Sequence, residues 1–184
     1  HQDDEAKVRL LSSMDGIVWR HVTDLPVEGH GNETTLRFDS DGRMTALVRR
    51  EGPDSRAWLG HASPPFVEWS FDLLPEAIGG PDLVRAPTGD GWIVSGRRYL
   101  PDGVRTAIWW RGDDGSWEIL ATLPSGGDTS YPGLVLDHDR LLVSYYSSHE
   151  GRTAIHFAEA SVIPRDDGVF PSMPEPVRER IQGE

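Results

Sequence analysis

The chain has 184 residues with no cysteine, 30 acidic residues against 18 basic ones, and a formal net charge of −12. That length suits one domain with a real core, and the missing thiols exclude disulfide scaffolds, cysteine-ligated zinc and cysteine nucleophiles. The acidic balance argues against nucleic acid or an anionic membrane as partner, and no apolar run approaches the ~20 residues that cross a bilayer.

In chain order, residues 8–22 read as two short strands around the turn Ser13-Met14-Asp15-Gly16. From Gly31, GNETTLRFDSDGRMTALVRRE reads as strand, polar turn and strand, and residues 56–61 and 69–73 add two more strands. The pattern returns in GPDLVRAPTGDGWIVSGRRY from Gly80, followed by strands at 106–110 and 117–120. It returns again in TSYPGLVLDHDRLLVSYYSS from Thr129, followed by a strand at 153–157. Only residues 176–182 suit a helical turn or two. Residues 164–184 are rich in proline and read as a tail, linker or docking arm after a folded region spanning 1–163.

These segments repeat with a fixed period. Glu33 to Asp82, Asp82 to Tyr131 and Arg49 to Arg98 are each 49 residues apart. Four short strands per repeat at a period near ~50 is the pattern of a β-propeller blade. The fold class is therefore all-β, with about three four-stranded blades. Propellers close with roughly four to eight blades, so the chain is expected to form half of a larger propeller or to complete itself in a homodimer. The strands of residues 8–22 are expected to complete a partner blade or to close this chain's own last blade after Phe157. A second marker lies in the turns. Ser13 to Trp19, Asp113 to Trp117 and, in its ends alone, Ser63 to Trp69 approach Ser-x-Asp-x-Gly-x-x-Trp. There Asp caps the turn, Gly supplies positive φ and Trp is expected to pack between blades. Arg111-Gly112-Asp113 falls inside one such turn and reads as structural.

With these turns, GNETTLRFDSDGRMTALVRRE and SGGDTSYPGLVLDHDRLLVSYYSSHEGRTAI resemble the bacterial exo-α-sialidase-like family of six-bladed propellers, in its C-terminal half. The resemblance implies hydrolysis of a terminal sialic acid or related sugar with retention, through a tyrosine nucleophile. A neutral tyrosine suits an anomeric carbon that bears a carboxylate, and a glutamate must take its proton. Three arginines clamp the substrate carboxylate, and an aspartate serves as acid/base. Carried over, Tyr131 of SYPGLV matches the nucleophile, Glu33 of GNETTLRF its base, and Arg49 the second clamp arginine. Arg98 holds the repeat-equivalent position of Arg49, with Arg97 beside it, while Arg105 stands where the family usually has the third arginine. The first arginine and the aspartate belong to the family's first blades and have no match here.

Other chemistries lack their signatures. No histidine pair has metal-ligand spacing, no Gly-x-Ser-x-Gly elbow or glycine-rich phosphate loop occurs, and no cofactor is expected. A non-catalytic propeller binding carbohydrate or protein is the main alternative. Gly79-Gly80 and Gly126-Gly127 suggest a kelch-type module, although kelch glycines follow the second strand and these precede the first. Related propeller glycosidases acting on arabinose or rhamnose also fit. No basic-then-apolar leader opens the sequence; a leader already removed would place the protein in the periplasm or outside the cell.

Overall fold

The computed structural model describes residues 6–164, 171–172 and 178–180, which form antiparallel β-structure with no helix. The strands are β1 (Arg9–Ser13), β2 (Trp19–Asp24), β3 (Gly31–Phe38), β4 (Met44–Arg50), β5 (Arg56–Ala62), β6 (Ser70–Arg85), β7 (Gly91–Leu100) and β8 (Gly103–Gly112). They continue with β9 (Trp117–Thr122), β10 (Ser130–Asp137), β11 (Arg140–Ser147), β12 (Ala154–Ser161) and the short β13 (Ile163–Pro164), β14 (Pro171–Ser172) and β15 (Arg178–Arg180). Two compact units divide the chain at Ile78/Gly79.

In the first unit, among the described residues, β1 and β2 form a two-stranded sheet, and β3, β4, β5 and the start of β6 follow one another in hydrogen-bonded order. The apolar run Ala46-Leu47-Val48 makes β4 the central strand. All three are fully buried, as a strand covered on both faces requires. Leu10, Leu25, Met44, Ala46 and Val48 form a core with the half-buried Trp58 and Phe71. Arg50 is buried beside it. Its guanidinium lies 4.8 Å over the Trp58 ring, and its Nε donates to the Glu28 carbonyl at 2.6 Å. Asp15 closes the β1–β2 turn as its sequence implies. Its Oδ1 accepts the Ile17 and Val18 amides at 2.9 and 2.8 Å, Ser13 Oγ donates to it, and Gly16 has φ 74°.

In the second unit, the end of β6 joins β7, β8 and β9, while β10, β11, β12 and β15 form a four-stranded sheet. Strict alternation in β11 sends Leu141, Val143 and Tyr145 into a core with Ile93, Ile108 and Trp110. The Tyr145 hydroxyl donates to the Pro124 carbonyl at 3.0 Å, which satisfies the one polar atom the ring buries. Asp82, the repeat partner of Glu33, is buried as well. Its two oxygens accept the Leu83 and Leu134 amides at 2.8 and 2.9 Å and so tie β6 to β10.

Four expectations need correction. The strand at 69–73 and the next repeat's first strand are one continuous strand, β6, running through Pro75 and Pro81. The strands of residues 8–22 do not close the last sheet, because Arg178–Arg180 occupies the open edge of β12. Residues 178–180 are extended where a helical turn was expected; the remainder of 176–182, and most of 164–184, lie outside the described residues. Trp19 is exposed rather than packed, as are Met14 and Ile17 beside it.

Candidate functional site

β10 carries an irregularity where its sequence reads Ser-Tyr-Pro-Gly. Ser130 pairs with Tyr146 and Gly133 with Ser144, so three steps on β10 face two on β11. The extra residue makes a β-bulge, a device that re-aims a side chain. Tyr131 sits in it with φ 47° and is 54% exposed. The bulge is held from several sides. Ser130 is fully buried and donates to the Gly79 carbonyl at 2.9 Å. The buried Thr129 hydroxyl donates to the Tyr146 carbonyl at 2.8 Å. Gly80, itself at φ 52°, lies so close that a Cβ would come within 2.9 Å of the Tyr131 ring.

The ring of Tyr131 stacks on Tyr146, with centroids 6.0 Å apart. Tyr146 is part of a polar triangle. Arg97 donates to the Tyr146 hydroxyl at 2.8 Å and to Asp128 at 2.6 Å, and the Tyr146 hydroxyl donates to the other Asp128 oxygen at 2.7 Å. The Arg97 Nε donates to the Thr129 carbonyl at 2.9 Å. Burial raises the Tyr146 hydroxyl pKa above the usual tyrosine value; the bond to Asp128 adds to this and the Arg97 charge opposes it. Tyr146 therefore stays protonated at neutral pH and acts as a donor.

Cross-strand register separates the three arginines of the β7–β8 hairpin. Arg97 is opposite Thr106 and Arg98 opposite Arg105, so Arg97 faces one side of the sheet while Arg98 and Arg105 share the other. Arg105 donates to Asp102 at 3.0 Å and to the Val104 carbonyl at 2.9 Å, both within its own turn. Of the three, Arg97 reaches the strand that backs Tyr131.

In the first unit, β3 has the same kind of bulge. Gly31 pairs with Arg50 and Thr34 with Val48, leaving Asn32 and Glu33 in the irregular step. Glu33 meets Arg49 from β4, whose Nη1 donates to both carboxylate oxygens at 3.0 and 2.7 Å. The Arg49 Nη2 lies 2.7 Å from Glu51. Glu33 and Arg49 thus form a partly buried ion pair with a third, more exposed member. Among the described residues, no group of three or more His, Asp or Glu side chains is placed to hold a metal ion.

Tyr146 and Asp128 were not singled out from sequence. The Tyr145-Tyr146 doublet carries the signal. In a strand, one of two adjacent rings must face away from the core, and the β10–β11 register sends that one to Tyr131.

No family model matches the chain, and no curated protein does. Solved structures do. A Dyadobacter fermentans protein of unknown function is 23% identical with a TM-score of 0.64, covering 80% of this chain and 43% of its own. The GH93 α-L-arabinofuranosidase of Fusarium graminearum, in complex with arabinobiose, is 13% identical with a TM-score of 0.57, covering 70% of this chain and 45% of its own. GH43B of a Bacteroides ovatus xyloglucan locus is 13% identical with a TM-score of 0.60, covering 91% of this chain and 36% of its own. The chain spans less than half the length of each. The two named hydrolases are β-propellers, and the likeness shows that fold for this chain. The two named hydrolases are an arabinofuranosidase and a GH43 protein, and neither is a sialidase.

Proposed function

We propose that this chain carries the nucleophile-bearing part of a retaining β-propeller glycoside hydrolase that acts on a terminal sialic acid or related sugar. The observation behind this reading is the Tyr131 bulge: a half-exposed phenol in a left-handed backbone position, backed by Tyr146 and the Arg97–Asp128 pair. Backbone strain of this kind gathers at functional sites. The Tyr131 oxygen attacks the anomeric carbon while a carboxylate base, the role that the resemblance gives to Glu33, takes its proton, and the bond to the leaving oxygen breaks. Water then opens the resulting aryl glycoside with net retention. The proton for the leaving oxygen comes from an aspartate outside this chain, which further sequence of a longer protein supplies and a second copy of this chain does not. The resemblance gives Arg49 the part of an anion clamp; in the second unit Arg97, bonded to Tyr146 behind Tyr131, suits that part better than Arg98 or Arg105, and the chemistry uses no cofactor.

The sheets are read as three four-stranded blades, about half of a six-bladed ring. A second copy of the chain, or further sequence of a longer protein, completes it. Residues 1–163 belong to the propeller, with Arg178–Arg180 added as the edge strand of its last sheet, and the rest of 164–184 is read as a tail. Light scattering at low micromolar concentration checks the assembly; an active 20.4 kDa monomer would rule it out.

The chemical test is turnover of a fluorogenic sialoside and a nitrophenyl arabinofuranoside by the completed assembly. Tyr131→Phe and Glu33→Ala are each expected to lower kcat by about a thousandfold or more. Activity that survives Tyr131→Phe rejects the nucleophile. A second reading, binding without hydrolysis, draws on Glu33, whose two oxygens both accept from Arg49 and which is a weaker base for that pairing. Binding of an acidic sugar with no turnover, unchanged by Tyr131→Phe, would favour it.

A further inference from the structure

The first unit has a concavity at the strand ends away from Glu33 and Arg49. Register places Phe38, Met44 and Ala62 together at that end. Between the β3–β4 turn and the β5–β6 connection lies a cavity of about 920 Å³, lined by Asp41, Arg43, His61, Pro65, Glu68 and Trp69 among others. Its volume is in the range of small-molecule sites.

The cavity forms where turn chemistry departs from the related turns. Asp15 folds the β1–β2 turn by accepting the Ile17 and Val18 amides and Asp114 the β8–β9 turn by accepting the Ser116 amide, each beside a left-handed glycine. The β5–β6 connection keeps the flanking Ser63 and Trp69 but has Pro64-Pro65-Phe66-Val67-Glu68 between them. Phe66 takes φ 66°, an outlier for a bulky aromatic residue. Strain held in a short connection beside a cavity is a feature of ligand clamps.

Two rings at the cavity are fixed in advance. The Trp69 indole donates from Nε1 to the Phe66 carbonyl at 3.0 Å and stacks on Phe71 at 5.9 Å. His61 Nδ1 lies 3.0 Å from the hydroxyl of the fully buried Thr45. Asp41 is held too, since its Oδ1 accepts the Arg43 amide at 3.0 Å. Around these rings the charges are mixed. Two carboxylates disfavour a polyanion, and Arg43 disfavours a simple cation. Alternating charged acceptors and donors beside an indole and prolines suit a ring that is polar at its edge and apolar on its face. That is a neutral sugar.

We propose that this cavity is a saccharide-binding subsite for a neutral sugar unit of a glycan, distinct from the Tyr131 bulge. It rests on the carbohydrate reading above but needs no catalysis by Tyr131. The test is calorimetric titration of the full chain with arabinobiose and xylohexaose, with 3′-sialyllactose as the anionic comparison. Saturable binding of a neutral probe is expected, with Trp69→Ala weakening it by about tenfold or more. Because Trp69 also packs on Phe71, the surface double variant Arg43→Ala/Glu68→Ala is measured beside it and is expected to lose a similar factor while melting like the parent. Tyr131→Phe is expected to leave the affinity unchanged. No saturable binding of either neutral probe overturns the subsite. So does affinity untouched by the double variant, or lost only in Tyr131→Phe. Absent turnover with intact binding here would remove the hydrolase reading alone.

Discussion

The bulge in β3 between Gly31 and Thr34 and the bulge in β10 between Ser130 and Gly133 each set three residue steps against two on a straight partner. The forces that hold them differ. In β3 the re-aimed residue is Glu33, and its position is set by charge, through Arg49 from the next strand and Glu51 behind it. In β10 it is Tyr131, held by shape: Gly80 close against its ring, Tyr146 stacked beside it, and buried hydroxyls fixing the backbone on either side. One backbone device thus presents a carboxylate in one unit and a phenol in the other. A charge-held group answers to salt and partner charge. A shape-held group answers to added volume.

The largest effect is therefore expected from volume at the second bulge. In Gly80→Ala, the new Cβ would meet Ser130 Oγ at 2.7 Å and the Tyr131 ring at 2.9 Å, at a backbone φ of 52°. Both the clash and the left-handed conformation count against alanine. A loss of about 2 kcal/mol or more is expected in urea denaturation, with displaced Tyr131 and Tyr146 ring resonances. Parental stability with unshifted resonances would show that packing does not hold this bulge.

Much of this was legible in the sequence, and the residues show why. Alternation in LLVSYYSS and the apolar run TALV are local patterns, and they became β11 and the centre of β4. The 49-residue repeat came within one residue of the structural correspondence. By register, Gly31 matches Ser130, so the β10 residue equivalent to Glu33 is Pro132, and Tyr131 matches Asn32. The bulges absorb that offset, and no propensity marks their phase. Asp82 repeats the acidity of Glu33 but is buried on two backbone amides. Its role depends on which strands neighbour it. Asp128 and Tyr146 were missed for the same reason: their pairing with Arg97 crosses strands far apart in sequence.

A smaller effect is expected at the charge-held bulge. Glu33 and Arg49 side chains are 28% and 20% exposed, so their pair is partly sheltered from solvent and salt. Glu33→Gln is expected to cost about 1 kcal/mol, less than the Gly80 substitution, because Arg49 keeps Glu51. The difference from the parent should narrow as sodium chloride is raised. A double-mutant cycle with Arg49→Met isolates the coupling; zero coupling at low salt would leave the carboxylate positioned by the backbone alone.

The smallest effect belongs to an exposed relative of that pair. On the β1–β2 hairpin, Arg9 Nε donates to Asp24 at 2.8 Å, and His21 lies 2.9 Å from the same oxygen. The hydrogen bond from Arg9, then that from His21, lower the Asp24 pKa from 3.8 to about 2. A carboxyl whose folded pKa is depressed contributes its stabilisation above the unfolded value and loses it as pH falls through the folded one. The hairpin should accordingly loosen as the pH drops from about 4 toward about 2. Exposure and salt keep the change small. Hairpin amide exchange across this window reads it directly, and Asp24→Asn should flatten the dependence while leaving exchange in β3 and β4 as it was. An unchanged profile in Asp24→Asn would assign the acid response to another carboxylate, with Asp54, which Arg56 also holds at about 2, the first to substitute.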